Sequence, residues 1–297
     1  MNKKWLTMGA AFGVGAVMLL ASGFSAMAGT SGYEAYKSAL KNNISVTSLT
    51  NTGSITVTDN GAEVLRADIL AKINREQNAM SASVTLGNGA GKHTFQMVKQ
   101  ENKVIFKNDQ SDVYRQMDIG EAKWKTNGEH KSGPPKQVET VIDALMGNMK
   151  DISTVQDAPD GGKNASLHLS GSQVPAVVNA LGSLAVSNLA DGGGHWNNVG
   201  TESHPFGDLT ASFPKLTENV KVQQINLDAG ISPENYLDQQ KGEIIVTGID
   251  ESGLDHTLVV SLDFKLSGFN QTVPDTIDLT GKQIEVMKRK EWNGRFH

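Results

Sequence analysis

Along most of the chain apolar side chains alternate with polar ones, the period of a strand with one face in a core. Ile55-Thr56-Val57-Thr58 leads into Asp59-Asn60-Gly61, where Asn-Gly supplies the positive φ of a tight hairpin. Residues 63–73 then resume the alternating, β-branched pattern. A meander follows: 79–86 turns through glycine-rich 87–91 into 94–99, 100–103 turns into 104–107, and 109–112 turns into 113–117. Further on, 219–227, 242–249 and 256–269 repeat the style around the turn Asp250-Glu251-Ser252-Gly253, and 283–288 predicts a last strand.

A helical period interrupts this pattern three times. Ser31 is placed to cap a short helix running to Asn42, with Tyr33, Tyr36 and Leu40 on one face and Asn42-Asn43 as its stop. After Pro134-Pro135, Val138, Val141, Ile142, Leu145, Met146 and Met149 form a stripe about one helix face wide. Ser172 is the expected cap of a third helix carrying Val174, Val177, Val178, Leu181, Leu184 and Leu189, with Pro175 tolerated in its first turn. Two short strands lie between the second and third helices. Strands without interleaved helices exclude a doubly wound fold. The pattern predicts the α+β class, a strongly curved antiparallel sheet, or open half-barrel, wrapped around amphipathic helices whose stripes need an apolar partner.

The first 28 residues read differently. Lys3 and Lys4 precede an uncharged run from Trp5 that ends in Ala26-Met27-Ala28, the pattern of a secretory signal peptide cleaved after Ala28. An uncleaved membrane anchor is the rival reading, since a run of this length can span a bilayer. Expected, then, are a leader at 1–28 and one domain at 29–297 with a glycine-rich loop at 191–215; two domains split near 160–215 are the alternative. Secretion or association with the cell envelope follows. The complete absence of Cys excludes disulfides, thiolate metal sites and a cysteine nucleophile. Loss of Lys3 and Lys4 leaves 25 basic against 32 acidic residues, a net −7, and the one local basic run is Lys288-Arg289-Lys290. Nucleic acid is not an expected partner.

Motifs for chemistry do not assemble. The seven His show no i, i+2 or i, i+4 pairing, and the nearest thing to a metal constellation is Asp191, His195, His204 and Asp208 in the glycine-rich loop. No Gly-x-Ser-x-Gly occurs, and the Ser-x-x-Lys strings at Ser38 and Ser212 lack their partner motifs. No enzyme activity, metal or cofactor is expected, and the chain is expected to be a monomer. The apolar inventory is more informative. Phe95 and Met97 share a strand face, Met117 can follow on a neighbour, Met146 and Met149 come from the central helix, and Trp196 and Phe206 sit in the long loop with Phe213 near its end. Methionine adapts to irregular acyl surfaces and also fills ordinary cores.

An exported N-terminus, a first helix beginning Ser31-Gly32-Tyr33-Glu34-Ala35-Tyr36, long strands, and plug-like helices near 135–150 and 172–189 together resemble the LolA/LppX-type superfamily. The closing Val273-Pro274-Asp275-Thr276-Ile277-Asp278-Leu279 is similar to the C-terminal region of uncharacterised secreted proteins of Gram-positive spore formers. The resemblance implies a half-barrel whose concave face receives acyl chains. Phe95, Met97, Met117, Met146, Met149, Trp196 and Phe206 are then the expected contacts for a lipid or other amphiphile. Many Gram-positive relatives carry a lipobox cysteine at the cleavage site; residues 25–29 offer none. The alternative function is an extracellular sensor or protein-interaction module without a ligand cavity, its partner another envelope protein.

Overall fold

A computed structural model of the chain describes residues 32–88, 91–119, 153–176 and 213–287. The leader, the expected helix at 135–150, most of that at 172–189 and most of the loop at 191–215 lie outside the described residues. Within them the chain forms one α-helix, α1 (Gly32–Ser45), and twelve strands. The first six are β1 (Ser48–Asp59), β2 (Ala62–Asn74), β3 (Ala79–Gly87), β4 (Lys92–Gln100), β5 (Lys103–Asn108) and β6 (Tyr114–Asp118). The rest are β7 (Ser153–Asp157), β8 (Lys163–Ser170), β9 (Leu216–Ile231), β10 (Leu237–Asp250), β11 (Asp255–Ser267) and β12 (Ile284–Met287).

All twelve make one open sheet in the order β12-β6-β5-β4-β3-β2-β1-β11-β10-β9-β8-β7. Asn60 and Gly61 adopt φ of 48° and 86°, so the β1–β2 turn has the positive-φ geometry its sequence calls for. Centrally, β1 pairs β11 from Thr50↔Ser267 to Asp59↔Leu258. The expectation of a purely antiparallel sheet needs one correction: β12 runs parallel to β6, from Ile284↔Tyr114 to Met287↔Met117. Parallel pairing requires a crossover. Here residues 268–283 supply it by running past the strand ends of β1 to β4.

That strap is fastened by side chains from each strand it passes. Ser48 Oγ accepts from Thr272 N, Asn74 Nδ2 donates to Thr272 O, and Ser81 Oγ accepts from Asp275 N. Gln100 makes both bonds of a backbone pair to Ile277, its Oε1 accepting from N at 2.8 Å and its Nε2 donating to O at 2.9 Å. Ser48, Asn74 and Ser81 are buried. Their polarity at these positions is explained by strap backbone that would otherwise lack partners.

Helix α1 packs Ala39 and Leu40 against Ala165, Ala229, Ile231 and Leu237, with Tyr36, Ile44 and Leu266 alongside. It continues to Ser45, past the stop expected at Asn42-Asn43. The reason is tertiary: Asn43 is buried and spends its amide on the chain of Leu237, Nδ2 donating to O at 2.8 Å and Oδ1 accepting from N at 3.0 Å. Arg75 Nη1 then donates to Ile44 O and Val46 O, satisfying carbonyls at the helix end with a cation from the end of β2. The expected cap Ser172 is also corrected. It sits in a 3-10 turn, Gly171–Gln173, where Gln173 Oε1 accepts from Ser170 N and Oγ. Val174 is extended there, and buries itself beside Leu169, Leu216, Val222, Ile225, Val246 and Leu258.

Candidate functional site

Register determines which side chains share the face that α1 covers. One row runs Ala165, Ala229, Gln240, Phe264, Gly53, Ile69, Val84, Phe95 across β8, β9, β10, β11, β1, β2, β3 and β4. Helix α1 lies over its β8–β10 end, where the Tyr36 hydroxyl donates to Gln240 Oε1 at 3.1 Å and burial pushes its pKa upward. At Gly53 a Cβ would stand 2.3 Å from the Phe264 ring, so the strand can pass only without a side chain.

The next row outward holds Leu167, Leu227, Gly242, Leu262 and Ile55, and beyond it come Ile225, Ile244, Val260 and Val57. Leu167, Leu227, Leu262, Ile55, Ile244 and Val260 are half-buried, although Val57, Ile225 and Ala67 around them are buried. The leucines at 227 and 262 close over Gly242, where an added Cβ would meet both at 3.2–3.3 Å. A band of aliphatic side chains five strands wide thus keeps accessible surface on the face that α1 covers. Transfer of such surface from water is worth roughly 25 cal/mol per Å², which makes the band a place for an apolar partner.

Of the expected contacts, Met97 and Met117 come together. Both are buried, 2% and 5% exposed, in a cluster with Val104 and Ile119 that is flanked by Met80, Phe106 and Met287. Phe95 is partly buried in the adjoining cluster of Ala67, Ile69, Val84, Leu86 and Phe264. These three form floor and flank of the same face. Met146, Met149, Trp196 and Phe206 lie outside the described residues. The aliphatic band was not singled out from sequence. Alternation marks each member inside its own strand, but only register between strands far apart in the chain brings them side by side.

Charged groups mark the boundaries. Lys99, on the same face beside Met80 and Val104, is buried and donates to Asn78 Oδ1 at 2.6 Å; burial lowers its ammonium pKa to about 8. On the opposite face a groove of about 320 Å³ is lined by Glu63, Arg66, Asp68, Thr85 and Lys92. Arg66 is there engaged by Asp68 through two bonds of 2.8 and 3.1 Å. Ser166, His168 and Asp228 also meet on that face, yet serine and histidine both bond Asp228 Oδ1, at 2.7 and 3.0 Å. Nucleophile activation needs the histidine beside the serine, so this order gives no activated hydroxyl. Among the described residues no three His, Asp or Glu are placed to hold a metal ion. Asp191, His195, His204 and Asp208 lie outside them.

Within the described residues the geometry is that of a large open sheet with an apolar face under α1 and a strap across the ends of β1 to β4. No protein-family model matches the chain, and no curated protein does. Among solved structures it is similar to a DUF1329 family protein from Desulfovibrio piger at 7% identity, with 84% of this chain and 94% of that chain covered and a TM-score of 0.21. A TM-score of that size lends no residue or activity to this chain. No helix among the described residues is long and apolar enough to cross a membrane.

Proposed function

We propose that the chain is a secreted, non-enzymatic cell-envelope protein that holds an apolar or amphiphilic ligand, a lipid or acyl chain, against the apolar face of its sheet. The half-buried band of Leu167, Leu227, Leu262, Ile55, Ile244 and Val260 carries this reading. Flexible chains bind such surfaces by area, with few polar requirements. The expected leader and missing cysteine support export without a lipid tether, the mature chain beginning at Gly29. Native mass spectrometry of protein purified from its own host tests both parts. The expected result is a polypeptide mass starting at Gly29 plus an extractable lipid, and displacement of a fluorescent fatty acid that Leu262→Glu weakens at least about tenfold by placing a charge in the band. No co-purifying lipid together with no fatty-acid binding would overturn the ligand reading.

A protein-interaction module is the second reading, supported by the edge strand β12, where Ile284 and Val286 are exposed, Val286 at 67%. An edge with apolar side chains outward is suited to meeting another chain.

A further inference from the structure

Strand β12 is lightly held. Among the described residues its ladder partner is β6 alone, and the pairing is parallel and short, from Ile284↔Tyr114 to Met287↔Met117. Parallel pairs are slightly less stable per residue than antiparallel ones. Residues 280–286 are all exposed. What β12 adds is an ion pair, Arg115 Nε to Glu285 Oε2 at 2.9 Å, and Met287 packed against the cluster of Met97 and Met117. Both charged groups are open to water, so that pair contributes little. Upstream, the fastening of the strap ends where Gln100 bonds Ile277. From there to β12 the hydrogen bonds among the described residues are local: Asp278 Oδ1 accepts from Thr280 N at 2.9 Å and Leu279 O from Lys282 N at 3.1 Å. Gly281 completes this turn with φ of 71°.

We propose that β12 is an exchangeable strand, and that two copies of this chain join by trading it, each β12 seated on the β6 of the other copy. Fit names the occupant. β12 is the segment that matches this edge, with Glu285 opposite Arg115 and Met287 opposite Met117. Exchange keeps each of those contacts, so the turn and the protein concentration alone set the balance. Opened out, residues 278–283 reach about 20 Å at ~3.3 Å per residue, enough to carry β12 from one sheet to another. Reciprocal trading closes around a two-fold axis and leaves neither β6 bare. Simple loss of β12 would instead uncover the edge beside Met117, which is 5% exposed in the closed chain. Inside one chain a short tether holds its strand at an effective concentration near millimolar, so the dimer grows as the protein approaches that range. Exchange does not involve the aliphatic band, which lies on β8 to β11 and β1, and it uses the inner edge of β12, not its outer one.

Introduced cysteines test this in the full chain, which has none of its own. Gln116 and Val286 are register partners on adjacent strands, about 4.8 Å apart and within disulfide reach. In the double variant Gln116→Cys, Val286→Cys, glutathione disulfide should close the bond inside one chain in dilute solution. A mixture of the two single variants can form a 116–286 bond only between copies, and should do so at high protein concentration, as read by peptide mass mapping of the oxidised dimer. At Gly281 an added Cβ meets nothing within 4 Å, so Gly281→Ala strains the closed turn through φ alone and should raise the dimer yield about tenfold. Asp278→Ala, which removes the bond to Thr280 N, should raise it too if alanine at 281 impairs folding. Failure of the mixture to form the bond while the double variant closes it overturns exchange. A dimer that lacks the 116–286 linkage, or a yield that neither turn variant changes, overturns it as well. A double variant that stays reduced removes the β6–β12 seat on which exchange depends.

Discussion

Asn43 shows how much a single amide decides. Its two bonds hold the N–H and C=O of Leu237, a fully buried residue at the start of β10, and they also let α1 run three residues beyond the expected stop. Asn43→Ala leaves both backbone groups buried without partners, so equilibrium urea unfolding should show a loss of about 1–3 kcal/mol; an unchanged midpoint would mean that other groups take over. In the sequence Asn42-Asn43 reads as a turn, because asparagine bonds its own backbone readily. Its actual partner is 194 positions away, and nothing local announces it. Alternation of apolar and polar positions, by contrast, is local and readable. Met97 and Met117 were legible from the same alternation.

At the scale of elements, the β1–β2 and β10–β11 hairpins are joined at their tips through His256. Its ring lies between two carboxylates, Nδ1 at 2.8 Å from Asp59 Oδ2 and Nε2 at 3.2 Å from Asp250 Oδ2. Burial opposes its charge, but the bonds to Asp59 and Asp250 outweigh that and raise its pKa. Asp250 is held well below the usual carboxylate range, first by the Ser252 hydroxyl and then by the Leu254 N–H. A raised histidine pKa contributes stability that is fully present below about pH 6.5 and is lost as pH rises through the folded-state value. The depressed Asp250 contributes above its unfolded pKa of about 3.9, and that part is lost as pH falls. Thermal unfolding at pH 6 and pH 9 should therefore show a larger fall in Tm for the wild type than for His256→Gln; parallel profiles would remove the histidine from the account. Each hairpin was visible in the sequence, since turn residues and alternation are local. The link between them was not, because it depends on which hairpins become neighbours.

For the whole molecule the central fact is strand order. Helix and strand content follow from local periodicity, whereas the β1–β11 pairing and the parallel seat of β12 have no local signature. The aliphatic band depends on that same order and was hidden with it. The strap makes a whole-molecule prediction. Ending the chain after Ser267 removes β12 and leaves Asn74, Ser81 and Gln100 without their strap partners. Hydrogen exchange of the truncated chain should show lost protection in β3 to β6, with β8 to β10 retained. A uniform loss would mean that the strap supports the whole sheet instead of one arm.

The β1–β11 seam also sets when the molecule can form. At its tip Thr257 N donates to Asn60 Oδ1 across 197 positions, so loop closure must precede the contacts that reward it. Residues 48–118 can zip as a meander while the chain is being made, but β1 keeps an open edge until β11 has been synthesised. High contact order slows folding. The seam closes only after residues 255–267 have been made, and until then β1 to β6 stand as an arm without its central partner.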